Sequence, residues 1–509
     1  MGHARLSIVD VAGGSQPFRH RNMAMTVNGE IYNTKRLREI TPFPYSTESD
    51  CEVIMPLVRS HYTNAMDKLD GQFAFVWVET DPIGNLMRWM VARDHIGICP
   101  LYTCLDIDGN RWFASEIKAL QHLTEHIVHV PPGHMMTGCG VVSAKMVENT
   151  RPWYKPDWMS GPECWMLPDD FGGISVLRGA VYQALEESVR ARLMVDESCV
   201  EVGAFLSGGI DSSIVAAIAA KILWEERGIT LKTFCISLAP DAPDRRFAAE
   251  VARFIGSEHY DVVLPMERAI KALPDVIESL ESVDTTSVRA STPMYLLCQY
   301  IKQNHPNLKV LLSGEGADEV MCGYLYFKNA PSSHEAGMES IRRVQELSTF
   351  DVQRSNRMTA AHSLEIRVPF LSKNVLSLFM RIHPSIRAPS YGHGVEKQLM
   401  RETFGHLLPP SVATRQKEQF SDAVSYGWVD VLKELGSKYG ESMHDDLETL
   451  FDRRPVCGEQ AWYMAELTLR LPGCEKAVGV TPTWRPMWNG GDDDPSGRAV
   501  AGHEQSWRK

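Results

Sequence analysis

Two hydrophobic periodicities divide the 509-residue chain. Up to about residue 150, short runs alternate apolar and polar positions, the period of a strand with one face on a core. They are RLSIVD (5–10), MAMTVNGEIYN (23–33), FAFVWVE (73–79), RWMVARD (88–94) and RWFASE (111–116), with Asn28-Gly29 and Asp108-Gly109 as turn dipeptides between them. Further on, Ile174, Leu177, Val181, Leu185, Val189 and Leu193 recur every three or four residues, which predicts an amphipathic helix. Strands CVEVGAFL (199–206), KTFCISL (232–238), HYDVVL (259–264) and LKVLL (308–312) then alternate with helices at 211–224 and 244–255 and others through residue 303. That order implies βαβ crossovers and a parallel sheet, with ligands at the carboxyl ends of its strands. After about residue 330 the pattern is mainly helical. The fold class is therefore α/β + α+β: a layered β-rich domain over 1–150, a linker over 151–173 and a parallel-sheet domain over 174–490. A polar tail follows over 491–509. The linker is read from VENTRPWYKPDWMSGPECWMLPDDFGG (147–173), where Pro, Gly and acidic residues break both periods.

Composition narrows the classes of function. A net charge of −12 and the lack of any long basic run argue against a nucleic-acid partner. No apolar stretch approaches bilayer length and no signal-peptide pattern opens the chain, so no membrane partner and a cytosolic (cytoplasmic) location are expected. Eleven Cys are scattered singly, without CxxC pairs or zinc spacing, which fits reduced buried thiols.

SGGIDSS (207–213), set between a strand and a helix, carries the strongest chemical signal. Small residues let successive backbone N–H groups close around phosphate oxygens at a helix N-terminus. The Lys of a Walker loop is absent, and Asp211 stands inside the loop as a candidate magnesium ligand. The pattern points to ATP pyrophosphatases, in which pyrophosphate leaves as a carboxylate attacks the α-phosphorus. The plainer reading is a glycine turn that merely starts a helix. KVLLSGEGADEVMCGY (309–324) ends a second strand with Ser313, Gly314, Glu315 and Asp318. Asp318 is a candidate second Mg2+ ligand and Glu315 a candidate acid or base, unless they are only helix caps.

RLSIVD, VNGEIYN, SDCEV, RDHIGICPLY, SGGIDSS, TTSVRASTPMYL, SGEGADE, EIRVPFL and RQKEQFSD, in this order, resemble the glutamine-hydrolysing asparagine synthetase family from His3 to the last residues. The resemblance implies an N-terminal Ntn-type (class II glutamine amidotransferase) domain and a C-terminal ATP-pyrophosphatase (adenine nucleotide alpha hydrolase-like) domain. It implies aspartate, ATP and Mg2+ as reactants, β-aspartyl-AMP and pyrophosphate as first products, and ammonia from glutamine reaching the adenylate through a tunnel. By resemblance, Phe205, Leu206, Ser207, Gly208, Gly209, Asp211, Ser212, Ile236, Ser313 and Gly314 would hold ATP, with Phe205 standing where Leu is usual. Thr286 and Arg289 would support aspartate adenylation. Lys397 and Lys417 match family lysines, and Lys417 would stabilise charge at the reacting centre. Arg5, Asn28, Gly29, Glu30 and Asp50 would bind glutamine, with Asn28 and Gly29 as oxyanion hole. A homodimer is left open.

Several positions depart from the pattern. The family's glutaminase nucleophile is a Cys exposed when the initiator Met is removed, whereas Gly2 follows Met1 here and MGHARLSIVD matches an internal family segment. Ammonia-dependent synthesis is therefore expected, with a segment carrying the Cys expected upstream. Met321-Cys322 replaces Phe-Gly, Thr414 replaces Trp and Ser372 replaces Asp. A non-catalytic glutamine or nucleotide sensor is the competing reading. Ring closure of the β-lactam-synthetase type is disfavoured by TTSVRASTPMY.

Overall fold

The computed structural model describes residues 1–140, 147–240, 242–389, 395–415 and 425–488. It divides into two compact units, Met1–Pro156 with Met194–Glu201, and Asp157–Leu193 with Val202 onward.

The first unit is built on an antiparallel six-stranded sheet. Its strands are β1 (Phe18–His20), β2 (Met23–Ile31), β3 (Gly71–Thr80), β4 (Leu86–Arg93), β8 (His134–Cys139) and β9 (Val147–Pro152), in the order β1-β2-β3-β4-β8-β9. A three-stranded sheet, β6-β5-β7, joins β5 (Tyr102–Leu105), β6 (Arg111–Ala114) and β7 (Val128–His129). The period-two alternation sends Met25, Val27, Phe73, Phe75 and Trp77 to one face, where Ile54, Leu57 and Val58 of the helix Ile54–His61 cover them. Ala74, Trp89 and Val91 point to the other face and join Leu101, Val130 and Met136 in a second core. Both faces of the sheet thus carry a core.

Three local expectations change. RLSIVD is coil, not a strand. The Arg5 guanidinium donates to the carbonyls of Val9 (2.9 Å), Asp10 (2.7 Å) and Gly13, which folds the segment back on itself instead of into a ladder. Asn28-Gly29 is no turn but the interior of β2, paired with Ala74 and Phe73. Gly29 has φ +138°, and a Cβ there would lie 1.9 Å from the Gln72 carbonyl oxygen, so close strand approach is what demands the glycine. Asp108-Gly109 does turn, with φ +79° at Gly109 and its N–H donating to Asp106 O. The stretch 151–173 carries the end of β9 and three short 3-10 turns, and Met166 bridges to Ile382.

The second unit holds a parallel sheet of β10 (Glu201–Phe205), β11 (Lys232–Ser237), β12 (Glu258–Val263), β13 (Leu308–Leu312) and β14 (Glu365–Arg367), in the order β12-β11-β10-β13-β14. β14 was hidden in EIRVPFL, where a buried three-residue strand leaves too little pattern to read. The chain moves outward from β10 through β11 to β12, then returns to lay β13 on the other side of β10. That reversal opens a crevice beyond the carboxyl ends of β10 and β13, the place where open α/β sheets bind ligands. SGGIDSS leaves β10 and SGEGADE leaves β13 at this point. No helix among the described residues is long and apolar enough to cross a membrane.

Candidate active site

The loop after β10 keeps its shape through its own hydroxyls. Ser212 Oγ accepts from Ser207 N (3.2 Å) and lies 3.1 Å from Ser207 Oγ, while Ser213 Oγ donates to Gly209 O (2.7 Å). Gly209 caps the helix Ile210–Arg227, whose first turn contains Asp211. Gly208 has φ +75°, and a Cβ would sit 2.6 Å from Ala248 N, so the loop presses against the helix Pro243–Ile255. The loop after β13 closes on it equally tightly, since a Cβ at Gly314 would lie 2.7 Å from Ser212 N. Where the two glycine-bearing loops touch, they present main-chain N–H groups and small hydroxyls to the cavity.

The cavity there is lined by Phe205, Leu206, Ser207, Gly209, Asp211, Ser212, Ile236, Thr286, Ser313, Gly314, Glu315 and Asp318. These are all the candidate nucleotide residues except Gly208, whose carbonyl faces Arg415 (3.3 Å). Thr286 enters from the first turn of the helix Thr285–Asn304, which Asp284 caps by accepting from Ser287 N (2.8 Å). Arg289 is not in the wall. It is buried, and its fork engages Glu459 through Nε (2.9 Å) and Nη2 (2.6 Å). This bidentate pair lies inside the protein, because the helix Gly458–Arg470 brings a buried carboxylate to Arg289. Lys417 lies outside the described residues.

Asp211 and Asp318 converge. Lys397 Nζ, fully buried, lies 2.5 Å from Asp211 Oδ2 and 2.5 Å from Asp318 Oδ1. Two hard oxygen donors converging on one cation beside a phosphate-type loop fit Mg2+, which takes one or two carboxylates and completes its shell with phosphates and water. Among the described residues no group of three or more His, Cys, Asp or Glu could form an all-protein metal cage.

Other wall residues escaped sequence reading. Arg354, on the helix Asp351–Ala360, pairs with Glu315 (2.8 Å) and Asp351 (2.9 Å). Tyr324 donates to Glu319 (2.6 Å). Burial, with the Asp351 and Asp318 charges nearby, pushes the Glu319 carboxyl well above the ordinary carboxylate range. Arg415 holds Asp244 (2.9 Å) and lies 4.2 Å over the Phe247 ring, bracing the loop from behind. Arg415 was within reach, since it opens RQKEQFSD. Arg354 and Asp351 sit in DVQRSNRMTA, which reads as any amphipathic helix.

The first unit places its candidate glutamine residues at the end of β2. Asp50 is buried and its Oδ2 accepts from Ile31 N (2.6 Å), while Glu30 is buried on the preceding strand position. A Cβ at Gly14 would meet Arg5 Nη2 at 2.6 Å and Ser49 Cβ at 3.2 Å, so the Arg5 fork lies beside the residue that precedes Asp50. Cys51 is buried, with Sγ 3.2 Å from Gly29 O.

A family model described as Asparagine synthase matches residues 180–342 and 328–457, and one described as Glutamine amidotransferase domain matches residues 3–122. "Asparagine synthetase [glutamine-hydrolyzing] 2" of Arabidopsis thaliana is 38% identical over 532 residues, spanning 99% of this chain and 87% of that protein. The chain belongs to the asparagine synthetase family. Its Oryza sativa subsp. japonica relative of the same name is 37% identical, over 99% of this chain and 85% of the other. "Probable asparagine synthetase [glutamine-hydrolyzing]" of Dictyostelium discoideum is 38% identical, over 98% and 91%. Membership makes the chain an enzyme of the ligase type, and the family's ATP use agrees with the cavity chemistry.

The departures from the family pattern are absorbed locally. Ser372 Oγ caps the helix Lys373–Arg381 by accepting from Val375 N (3.2 Å), the task an Asp would perform. Thr414 ends the helix Pro410–Ala413. Cys322 keeps φ +50°, the left-handed conformation that the usual Gly adopts without strain.

Proposed function

We propose that this polypeptide makes asparagine from aspartate and ATP, with ammonia as its nitrogen source. The observation that carries the reading is the cavity at the β10/β13 reversal, where the pyrophosphate-type loop and the Asp211–Asp318 pair share one wall. The adenine end would lie against Phe205 and Ile236, and the β,γ-phosphates over the N–H groups of residues 207–212. Asp211 and Asp318 would hold Mg2+, which supplies charge neutralisation of the pyrophosphate leaving group. A carboxylate oxygen of aspartate attacks the α-phosphorus, pyrophosphate departs, and a mixed anhydride with AMP forms. Ammonia then attacks the acyl carbon and AMP leaves. Thr286 borders the aspartate end, and Arg354 fixes the charge and orientation of Glu315. Lys417 and Arg289 carry over from the family as support for the phosphoryl centre and for aspartate, Arg289 then acting through the helix it anchors.

Arg5, Asn28, Gly29, Glu30 and Asp50 would bind glutamine. Cys51, next to Asp50, is directed at a main-chain carbonyl inside the core, an inert setting for a thiol. The test follows pyrophosphate and asparagine with ATP, Mg2+ and aspartate, supplying either nitrogen source. Turnover with ammonia alone is expected. Equal turnover with glutamine overturns the choice of nitrogen source, and no turnover with either favours a sensor.

A further inference from the structure

Lys397 does more in this structure than match a family lysine. Its side chain is fully buried, and among the described residues its ammonium meets one carboxylate oxygen of Asp211 and one of Asp318, at 2.5 Å each. A buried ammonium is held in place only by such close opposite charges, and two convergent carboxylates need a cation in turn. Its backbone is unusual as well, with φ +59° at the start of the helix Gln398–Phe404. Non-glycine residues rarely take this conformation, and here the neighbouring chain enforces it. The Arg401 fork grips Glu396 through its carbonyl (2.8 Å) and its Oε1 (2.9 Å), and Arg401 N donates to Lys397 O (3.1 Å). The path of the side chain is also prepared, because a Cβ at Gly323 would lie 2.1 Å from Lys397 Cε and 2.4 Å from Asp318 Oδ1.

We propose that Lys397 is the resident counter-cation of the Asp211–Asp318 pair, and that a divalent ion enters only by displacing its ammonium. The proposal rests on the reading of this pair as the magnesium site of a nucleotide cavity. A Mg2+ ion needs carboxylate oxygens at about 2.0–2.1 Å. With those same oxygens bonded to the ammonium, the two cations would be forced together in a buried space. Expelled from the pair without nucleotide, the ammonium has lost its two carboxylates and gained nothing. With nucleotide present, phosphate oxygens offer it new partners within the same cavity. Metal and nucleotide binding are thereby coupled, and linkage makes that coupling reciprocal.

The full 509-residue chain would be titrated with Mn2+, following free ion by electron paramagnetic resonance, with and without a non-hydrolysable ATP analogue. Wild type is expected to bind Mn2+ weakly alone and at least about tenfold more tightly with the analogue. Lys397→Met and Lys397→Gln are expected to bind Mn2+ at least about tenfold more tightly than wild type without nucleotide, and to gain less from the analogue. Thermal melting gives an independent readout: Mn2+ alone should raise the midpoint of the variants and leave wild type unmoved. Tight Mn2+ binding by nucleotide-free wild type overturns the proposal, whether or not the variants fold. So does unchanged Mn2+ affinity in a folded variant. Direct titration of the analogue tests the nucleotide reading separately, since its failure would leave the nucleotide-free comparison standing.

Discussion

The two candidate sites hold their polar groups in opposite ways. In the second unit, side chains from three strand ends and several helices are paired with one another: Lys397 with Asp211 and Asp318, Arg354 with Glu315 and Asp351, Arg415 with Asp244. In the first unit, the candidate groups are tied to main chain. Arg5 donates to three carbonyls, Asp50 accepts from Ile31 N and Cys51 faces Gly29 O. A parallel sheet gathers its loops at one edge, so distant charges meet and neutralise each other. An antiparallel sheet alternates its turns between two edges, so a polar group near a strand end finds local backbone first. Charge pairs that a polyphosphate can rearrange suit the first case, and a fixed backbone frame suits the second.

The largest test of this contrast is Asp318→Asn. Loss of one arm of the pair should lower aspartate-dependent pyrophosphate release by about 10²–10³-fold. The same change at Asp50, whose carboxylate accepts from Ile31 N, should leave ammonia-dependent release within a factor of about three, because sites with no shared partners contribute independently. An equal loss in both would erase the distinction.

Arg289 sharpens the rule within the second unit. Arg289→Met strands Glu459 in the core and should cost about 3–5 kcal/mol in urea unfolding, with much of it recovered in Arg289→Met/Glu459→Met. A stable single variant with a raised KM for aspartate would instead make Arg289 a substrate clamp.

In the first unit, Gly29→Ala should cost about 2–4 kcal/mol, from φ strain and collision with Gln72 O. A melting curve no different from wild type would show that β2 and β3 separate easily.

The smallest effect concerns pH. Burial pushes His362 down to about 4 from an ordinary 6.5, with its ring edge-on to Tyr295 at 4.3 Å. The unfolded chain therefore binds a proton between these values that the folded chain refuses. Stability contributed here is complete above pH 6.5, falls as pH drops toward about 4 and is flat below. His362→Gln should flatten that part of the stability profile.

Much of the second site was legible because its chemistry is carried by contiguous residues. SGGIDSS and SGEGADE are each one strand end, and the parallel order that brings them together follows from alternation of strand and helix. Arg354, Asp351 and Tyr324 were not legible, since each lies on an ordinary segment and gains meaning only from its partner across the cavity. Arg289 was legible as an arginine in a motif but not as the partner of Glu459, 170 residues away. In the first unit the alternation located β2, β3 and β4 well, while RLSIVD and Asn28-Gly29 misled. Alternation cannot tell a strand from a coil stapled by its own Arg, and an Asn-Gly pair cannot tell a turn from a close strand crossing.

The two periodicities, the strand–loop–helix that suits phosphate, and the motif order shared with the asparagine synthetase family can be read from the residues alone. These are local properties, set by neighbours within about one turn or one strand. Which charges meet depends on packing: Lys397 sits between Asp211 and Asp318, Arg289 belongs to Glu459, and Arg5 is held by its own loop. The reason is physical. Burial makes an unpaired charge too costly to keep, so each buried ion takes whichever partner the packing brings, and sequence distance has no say in that choice.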